Sequence, residues 1–300
     1  MLAHLQQQGR KMLEKAGVER ADLECVLILG HILGLSRTEV YLRGDRILDE
    51  KSSTQFMECI QRRANREPLA YILGEQEFWS LPFLVNNDVL IPRPETEFLL
   101  EVVFAHIKRH NLVVEQCVDL CCGSGVIAVV LARQLGATVL AIDRSSKALA
   151  VAHDNCRRHH VEDAVMMLCS DLLAAVRADC GFPLIVCNPP YVSRGAIEGE
   201  VAPEVARYEP RLALDGGSDG LDVIRRIAGD TGRLLAPGGM FFMECGADQG
   251  EAVEAIFAEA EPRGGFFDNR LIVQDYSGRD RVFLARMNSS AYCNEYSHDR

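Results

Sequence analysis

The 300-residue chain has no long hydrophobic run and no tract of biased composition. No apolar stretch approaches the roughly 18 residues that a membrane-spanning helix needs. The N-terminal stretch "MLAHLQQQGRKMLEKAG" has the pattern of an amphipathic helix and lacks the apolar core of a signal peptide. These absences predict a globular, cytoplasmic protein that does not associate with a membrane.

Metal-ligand spacing and excess positive charge are also missing. The eleven cysteines are scattered, odd in number, and include no C-x-x-C pair or Cys/His ligand spacing. We therefore expect a reduced protein without a metal site. Lys and Arg number 32 against 43 Asp and Glu, and the resulting net charge of −11 repels a phosphate backbone. Direct nucleic-acid binding is not expected, and we expect a monomer.

Strand patterns are absent from residues 1–67, where apolar residues recur at helical spacing. This predicts a small N-terminal all-helical domain, in which "SRTE" at Ser36–Glu39 has the sequence of a capping box. Residues 68–110 show β-rich runs separated by turn residues and then a helix that starts with proline. They predict a β-hairpin connector with a linking helix.

Residues 111–286 alternate short strand-like runs with helical runs, including "CVDL", "TVLAID", "LIVCN" and "GMFFMEC". Such alternation is typical of an α/β domain with a doubly wound, mostly parallel sheet. Ligands of these sheets bind at the carboxyl ends of the strands, so the candidate site residues should be found there. Residues 287–300 are predicted to form a disordered tail.

The first strand of the α/β domain runs into a glycine loop, "VDLCCGSGVIAVVLA". Gly123, Ser124 and Gly125 permit a tight turn and a close backbone approach before a helix N-terminus. The second strand ends at Asp143, 18 residues after Gly125, where a carboxylate can accept both hydroxyls of a ribose. Together the two elements predict a cofactor that contains adenosine.

Two further carboxylates refine the cofactor prediction. Asp119, just before the glycine loop, favours a cofactor with a positive charge, such as a sulfonium, over a pyrophosphate. Asp171 closes the third strand, where it could accept a hydrogen bond from an adenine amino group. By residue type alone, Asp171 is equally suited to cap the following turn.

The stretch "LIVCNPPYV" places Asn188 at the end of the fourth strand. A carboxamide nitrogen is a poor nucleophile because its lone pair is delocalised into the carbonyl, and the same applies to an exocyclic base nitrogen. Methylating either one requires acceptors for hydrogen bonds from its N–H groups. The side-chain carbonyl of Asn188 and the backbone carbonyl of Pro189 can accept both. Pro189 and Pro190 also fix the backbone without adding a competing donor. Tyr191 can cover the flat face of the amide.

The chain resembles the release factor glutamine methyltransferase family, also called HemK or PrmC, from about residue 5 to residue 286. The resemblance is carried by "IPRPETE", "VDLCCGSGVIAVVLA", "CNPPYV", "YEPRLALDGGSDGLDVIRRI" and "DYSGRDRVFLAR". Of these, "IPRPETE" is far more specific than N-P-P-Y, which DNA adenine methyltransferases share. The resemblance implies a Rossmann-like seven-stranded sheet. It also implies methyl transfer from S-adenosylmethionine to the glutamine amide in the Gly-Gly-Gln loop of class 1 peptide-chain release factors.

The resemblance also assigns site residues. The catalytic residues would be Asn188, Pro189 and Tyr191, and together with Pro190 they would bind the substrate amide. The cofactor would be bound by Asp119, Cys121, Cys122, Gly123, Ser124, Gly125, Asp143, Asp171, Leu172 and Asn188. The family usually has Gly-Thr where this chain has Cys121-Cys122, so a side chain at Cys121 should narrow the cofactor loop.

Three other functions fit parts of the pattern. A DNA adenine methyltransferase would share the N-P-P-Y chemistry, but it should also carry a basic cleft and a base-reading domain. A nicotinamide dehydrogenase would use the glycine loop and leave the two prolines and the tyrosine without a role. A non-catalytic module that binds the translation machinery would have a cofactor loop that has decayed at Cys121. Binding of S-adenosylmethionine separates the last two from a methyltransferase.

Overall fold

The computed structural model describes residues 2–43, 48–177, 180–260 and 267–288. The chain forms two compact units, one of Met1–Gln76 with Ala202–Tyr208 and one of Glu77–Val201 with Glu209–Arg300. Within the described ranges, no helix combines the length and the apolar character that a membrane crossing requires.

The helices and strands of the described residues are numbered in chain order. The helices are α1 (Leu2–Lys15), α2 (Ala21–Leu33), α3 (Arg37–Leu42), α4 (Glu50–Ala64), α5 (Leu69–Leu73), α6 (Pro94–His110), α7 (Val126–Leu135), α8 (Ser146–Arg158), α9 (Arg194–Gly199), α10 (Pro203–Tyr208), α11 (Asp222–Thr231) and α12 (Gly250–Ala260). The strands are β1 (Glu75–Phe78), β2 (Leu81–Leu84), β3 (Gln116–Leu120), β4 (Thr138–Asp143), β5 (Val165–Cys169), β6 (Phe182–Cys187), β7 (Leu235–Glu244), β8 (Phe267–Gln274) and β9 (Asp280–Met287).

The first unit is helical and has its own apolar core. Helices α1, α2 and α4 pack together around a core that includes Phe56 and Ile60. Gly9 of α1 permits a close approach to α4, since a Cβ at Gly9 would lie 2.8 Å from the Phe56 ring. At the start of α3, Ser36 and Glu39 each accept the other's backbone N–H. The predicted capping box is therefore confirmed.

The first unit runs past the predicted boundary at residue 67 and takes in the later segment Ala202–Tyr208. An ion pair explains the place of that segment. The Glu204 carboxylate lies 3.1 Å from Arg63 Nη1 and 2.8 Å from Arg66 Nη2, and all three side chains are largely buried. Ion pairs between residues about 140 apart in sequence leave no local pattern, which is why the sequence does not reveal them.

One expected β-rich run is a helix. Leu69–Leu73 forms α5, so the interpretation of this run as extended chain is wrong. Pro68 stands at the N-cap with its carbonyl accepting the N–H groups of Tyr71 and Ile72. Gly74 ends the helix with a left-handed φ of 74°. The hairpin of β1 and β2 follows directly. The sequence did not predict the five-residue helix because its residues have a composition typical of strands.

The second unit contains a seven-stranded sheet in the order β5-β4-β3-β6-β7-β9-β8. The strands from β5 to β7 are parallel, whereas β9 is antiparallel to both β7 and β8. This is the predicted Rossmann-like seven-stranded sheet, and the fold class is confirmed. Strand β9 ends at Met287, and residues 289–300 of the predicted tail lie outside the described residues.

Two apolar layers cover the faces of this sheet, as its alternating strands require. On β6, Leu184 and Val186 belong to one layer, which includes α6 and α7, and Ile185 and Cys187 belong to the other. The strand order reverses between the neighbours β3 and β6. The loops that leave these strands therefore diverge and open a crevice at their carboxyl ends.

Candidate active site

A cavity lies at the carboxyl ends of β3, β4, β5 and β6. It contains about 1180 Å³ of space free of protein atoms, open mouth included. Its wall combines residues from the four strand ends with parts of segments 88–96 and 210–226. Its position at the reversal of strand order is where ligands of parallel α/β sheets bind.

Most of the predicted site residues line this cavity. Those that do are Cys121, Cys122, Gly123, Ser124, Asp143, Asp171, Leu172, Asn188 and Pro190. Those that lie beside it without forming its wall are Asp119, Gly125, Pro189 and Tyr191. The ligand-binding roles of both sets stay predictions, and the second set would need to act through neighbouring groups or through backbone atoms.

The glycine loop is held to the end of β4 by Asp143. Its carboxylate accepts the N–H of Gly123 at 2.9 Å and the N–H of Ser145 at 2.8 Å. Gly123 has a φ of 53°, and a Cβ there would meet no atom within 4 Å, so its backbone faces open space. Gly125 differs, because a Cβ would lie 2.9 Å from Ala152 Cβ on α8. One glycine exposes the loop to the cavity and the other permits close helix packing.

Asp119 is fully buried beside the cavity, and its role toward the positive charge of the cofactor stays a prediction. Its Oδ2 accepts the Ala128 N–H in the first turn of α7 at 2.9 Å, and its Oδ1 has no partner among the described residues. Burial raises the pKa of the Asp119 carboxyl to about 8, although the hydrogen bond from Ala128 lowers it. The residue therefore connects β3 to α7, and the structure shows no direct exposure of its carboxylate to a cavity ligand.

Asp171 lies at the other wall of the cavity and is exposed. Its carboxylate pairs with Arg226 of α11, with 2.8 Å between Oδ2 and Nη2. This hydrogen bond lowers the pKa of the Asp171 carboxyl. The next residue, Leu172, is buried with a φ of 53°, a left-handed conformation that is uncommon for a leucine.

Asn188 belongs to a buried chain of hydrogen bonds. Its Nδ2 donates to Thr96 Oγ1 at 3.0 Å, and Thr96 donates to Glu244 Oε2 at 2.7 Å. The Tyr191 hydroxyl donates to the other carboxylate oxygen, Oε1, at 2.7 Å. Within the part of the chain that the structure describes, Asn188 Oδ1 accepts no hydrogen bond. This oxygen is free to accept one from a molecule in the cavity.

Burial affects the pKa values of the two titratable side chains in this hydrogen-bonded chain, Glu244 and Tyr191. Glu244 is 1% exposed, and burial raises the pKa of its carboxyl against the lowering effect of the hydrogen bonds from Tyr191 and Thr96. Burial and the Glu244 charge raise the pKa of the Tyr191 hydroxyl well above its ordinary value. The Tyr191 carbonyl accepts a hydrogen bond from Gln249 Nε2 at 2.9 Å. Tyr191 is therefore held at both its backbone and its side chain.

Two further buried side chains that the sequence patterns did not identify support the cavity wall. Asn155 of α8 accepts the Leu84 N–H at 2.7 Å and donates to the carbonyls of Leu84 and Ser124. Glu209 accepts the Ile91 N–H at 3.2 Å and pairs with Arg93. No local sequence pattern pointed to Asn155 as a residue that supports the cavity.

Thr96 and Glu244 did have a signal. Thr96 lies in "IPRPETE", and Glu244 is an acid at the carboxyl end of the apolar strand β7.

The cavity fits S-adenosylmethionine by the shape and chemistry of its wall. The Gly123 backbone faces open space at the end of β3, where a side chain would intrude. Asp143 has lone pairs beyond its two backbone bonds and can accept ribose hydroxyls. Apolar side chains such as Ile142 and Leu172 line the same wall and suit a flat adenine ring.

The parallel sheet with its glycine loop, its acid at the end of β4 and its antiparallel edge defines a Rossmann-like methyltransferase. Family comparison agrees. The PrmC N-terminal domain family matches residues 4–74, and the methyltransferase small domain family matches residues 94–226. The chain belongs to the release factor glutamine methyltransferase family, and the predicted family is confirmed.

Individual relatives show how far the similarity extends. The release factor glutamine methyltransferase of Caulobacter vibrioides is 39% identical over 281 residues, covering 93% of this chain and 94% of the relative. That of Geobacter sulfurreducens is 41% identical over 279 residues, covering 93% and 94%. A methyltransferase from Pyrococcus furiosus has a similar fold, with a TM-score of 0.50 and 12% identity over 70% of this chain and 91% of that one.

Proposed function

We propose that this protein transfers a methyl group from S-adenosylmethionine to the side-chain amide nitrogen of glutamine in the Gly-Gly-Gln motif of class 1 peptide-chain release factors, and so tunes translation termination. The observation that carries the proposal is that Asn188 lines the cavity while its Oδ1 has no hydrogen-bond donor among the described residues. An acceptor in this position can receive a hydrogen bond from one of the two N–H groups of the substrate amide.

The chemistry follows from the weakness of an amide nitrogen as a nucleophile. S-adenosylmethionine, when bound, supplies a methyl group on a positively charged sulfur. Asn188 Oδ1 and the Pro189 carbonyl accept hydrogen bonds from the two N–H groups of the amide. These bonds fix the amide plane, so that the nitrogen lone pair, which is perpendicular to that plane, points toward the methyl donor. Pro190 would pack on the face of the amide opposite the methyl donor, and Tyr191, which lies beside the cavity, would support it there. In the transfer the methyl–sulfur bond would break as the nitrogen–carbon bond forms, neutral S-adenosylhomocysteine would be left as product, and the nitrogen would release one proton to water.

Cofactor binding is assigned to the opposite part of the cavity. Asp143 would accept the ribose hydroxyls, and Leu172 would pack against the adenine. Asp171 would bind the adenine amino group while its other oxygen pairs with Arg226. The backbone of Cys121 to Gly125 would surround the amino-acid portion.

The setting of the reaction is also part of the proposal. We place the protein in the cytoplasm, where release factors act, as a monomer that recognises a protein and makes no direct nucleic-acid contact. The net charge of −11 supports the last point, because it opposes binding to a phosphate backbone. Light scattering of the purified protein tests the monomeric state.

The test is incubation with labelled S-adenosylmethionine and one of three substrates: a purified class 1 release factor, the same factor with the loop glutamine changed to alanine, and double-stranded DNA that contains adenine. We expect label on the first substrate only, with mass spectrometry locating a single methyl group on the loop glutamine. Label on DNA would instead identify an adenine methyltransferase. Absence of label, with binding of the factor retained, would identify a non-catalytic module.

A further inference from the structure

The segment "IPRPETE" is the most specific part of the family resemblance, yet the proposed chemistry gives none of its side chains a role. Thr96 is the member of this segment that hydrogen-bonds to Asn188. It is 3% exposed and lies between Asn188 and Glu244, 92 residues from one and 148 from the other. Its hydroxyl joins the end of β6 to the end of β7 through the first turn of α6.

The direction of each hydrogen bond in this group follows from its chemistry. In its ionised form Glu244 can only accept, so the Tyr191 and Thr96 hydroxyls, each 2.7 Å from one of its oxygens, both donate to it. The Thr96 hydroxyl has a single proton, and it donates that proton in the hydrogen bond to Glu244. Toward Asn188, Thr96 can therefore only accept. Only the NH₂ end of the carboxamide can satisfy it, and the carbonyl oxygen must face the cavity.

We propose that Thr96 and Glu244 are positioning residues for methyl transfer, which hold the Asn188 carboxamide with its oxygen toward the substrate and hold Tyr191 beside it. The inference rests on the proposed function, because it concerns the orientation of the acceptor for the substrate amide. Neither residue needs to touch the substrate. Glu244 makes Thr96 a hydrogen-bond donor toward the carboxylate. Thr96 can then only accept from Asn188, which fixes the orientation of the Asn188 carboxamide.

The orientation matters because the two ends of a carboxamide have nearly the same shape and opposite hydrogen-bonding character. With Asn188 flipped, its NH₂ would face the NH₂ of the substrate, donor against donor. The flipped state would also place the carbonyl oxygen against Thr96 Oγ1, whose proton is already donated to Glu244. The buried hydrogen bonds of Thr96 and Glu244 therefore disfavour the flipped Asn188 carboxamide even before a substrate binds.

The second link of the network gives Tyr191 a defined place. Its hydroxyl donates to Glu244 Oε1 while its carbonyl is bound by Gln249. Glu244 thus receives one hydrogen bond from each of two segments, α6 and the N-P-P-Y loop, and joins them at the end of β7. A change at Glu244 should consequently affect both the amide acceptor and the aromatic ring.

Thr96→Val is the decisive variant, because it keeps the shape and removes the hydroxyl. We expect kcat for methylation of the release factor to fall about tenfold, the equivalent of roughly one hydrogen bond. The dissociation constant for S-adenosylmethionine should stay within about twofold of the wild type. Thr96→Ser keeps the hydroxyl and should restore most of kcat. Thr231→Val is the matched control, since it removes a buried hydroxyl that bonds to Ile227 O within α11; it should leave kcat unchanged.

Glu244→Gln provides a second variant if Thr96→Val does not fold. The new NH₂ group would replace the acceptor of either Thr96 or Tyr191 and so break one of the two hydrogen bonds to this position, and kcat should fall while cofactor affinity stays. A folded Thr96→Val enzyme with wild-type kcat would overturn the positioning role, and so would Thr96→Ser with a loss as large as that of the valine variant. A wild-type enzyme that leaves the loop glutamine unmethylated would overturn the proposed function itself, and the positioning role with it.

Discussion

At the scale of single residues, the cavity wall contains side chains in backbone conformations that favour glycine. Cys121 has a φ of 63° and Leu172 a φ of 53°. A left-handed conformation costs an L-residue roughly 1–2 kcal/mol, and such strain persists where the surrounding structure enforces it. At Cys121, where the family usually has glycine, the chain keeps the left-handed turn despite the added side chain. The loop shape is therefore enforced by its neighbours, including the Asp143 bond to Gly123.

Asp143 is the residue for which cofactor affinity gives the clearest test. We predict that Asp143→Ala weakens binding of S-adenosylmethionine by about 1.5–3 kcal/mol, the range for hydrogen bonds to a charged group. Asp143→Asn should also lose affinity, because its NH₂ group would face the backbone N–H of either Gly123 or Ser145 and disturb the loop. Isothermal titration calorimetry measures both.

Since Asp143 also binds the N–H groups of Gly123 and Ser145, urea unfolding should accompany the titrations to show that the loop is intact. Unchanged affinity in a folded alanine variant would contradict the ribose assignment.

At the scale of elements, Asp119 connects the end of β3 to the first turn of α7, and its buried carboxyl makes stability depend on pH. Its pKa is about 8 in the folded chain and roughly 3.9 in an unfolded one. Between these values the folded state holds a proton that the unfolded state has lost. The free energy of unfolding therefore falls as pH rises from about 4 to about 8.

We predict that Asp119→Asn removes this contribution. Compared with the wild type, the variant should gain relative stability as pH rises through that window. Urea unfolding of both proteins at a series of pH values measures the difference, and other buried acids such as Glu244 cancel because both proteins contain them. Parallel pH profiles would show that the Asp119 pKa is not raised.

The elements also show what a sequence can and cannot reveal. Asp143 and Asn188 could be predicted because alternating strands and helices imply a parallel sheet, and its strand ends are binding positions. The groups that hold them could not be predicted in the same way. Thr96 meets Glu244 across 148 residues, and Asn155 bonds to Leu84 across 71. Such pairs depend on how helices pack on the sheet, which no local spacing encodes.

At the scale of the whole molecule, all the described residues that line the cofactor cavity belong to the second unit. The sequence predicts a helical N-terminal domain, and we expect this domain to recognise the protein substrate because the predicted cofactor residues all lie beyond residue 110. The sequence did not reveal that Ala202–Tyr208, which follows the N-P-P-Y loop, belongs to the first unit. The order of the chain suggested a contiguous boundary, whereas the ion pairs of Glu204 define a discontinuous one.

We predict that a chain lacking residues 1–67 binds S-adenosylmethionine with normal affinity and fails to methylate intact release factor. The truncation removes Arg63 and Arg66, the partners of Glu204, so it should carry Glu204→Gln to avoid an unpaired charge. The same Glu204→Gln change in the full-length chain is the control. Calorimetry and transfer of labelled methyl groups provide the two readouts. Normal methylation of the intact factor by the truncated chain would contradict this division of roles.

The account depends most directly on Asn188 as the acceptor for the substrate amide. The decisive measurement is the single-turnover rate of methyl transfer to the release factor by Asn188→Ala at saturating cofactor, with the affinity for S-adenosylmethionine measured on the same preparation. We predict a rate about 10²- to 10³-fold below the wild type, the typical loss for one preorganised charge-stabilising group, with cofactor affinity much less affected. A folded Asn188→Ala enzyme that methylates the glutamine at nearly the wild-type rate would contradict the mechanism.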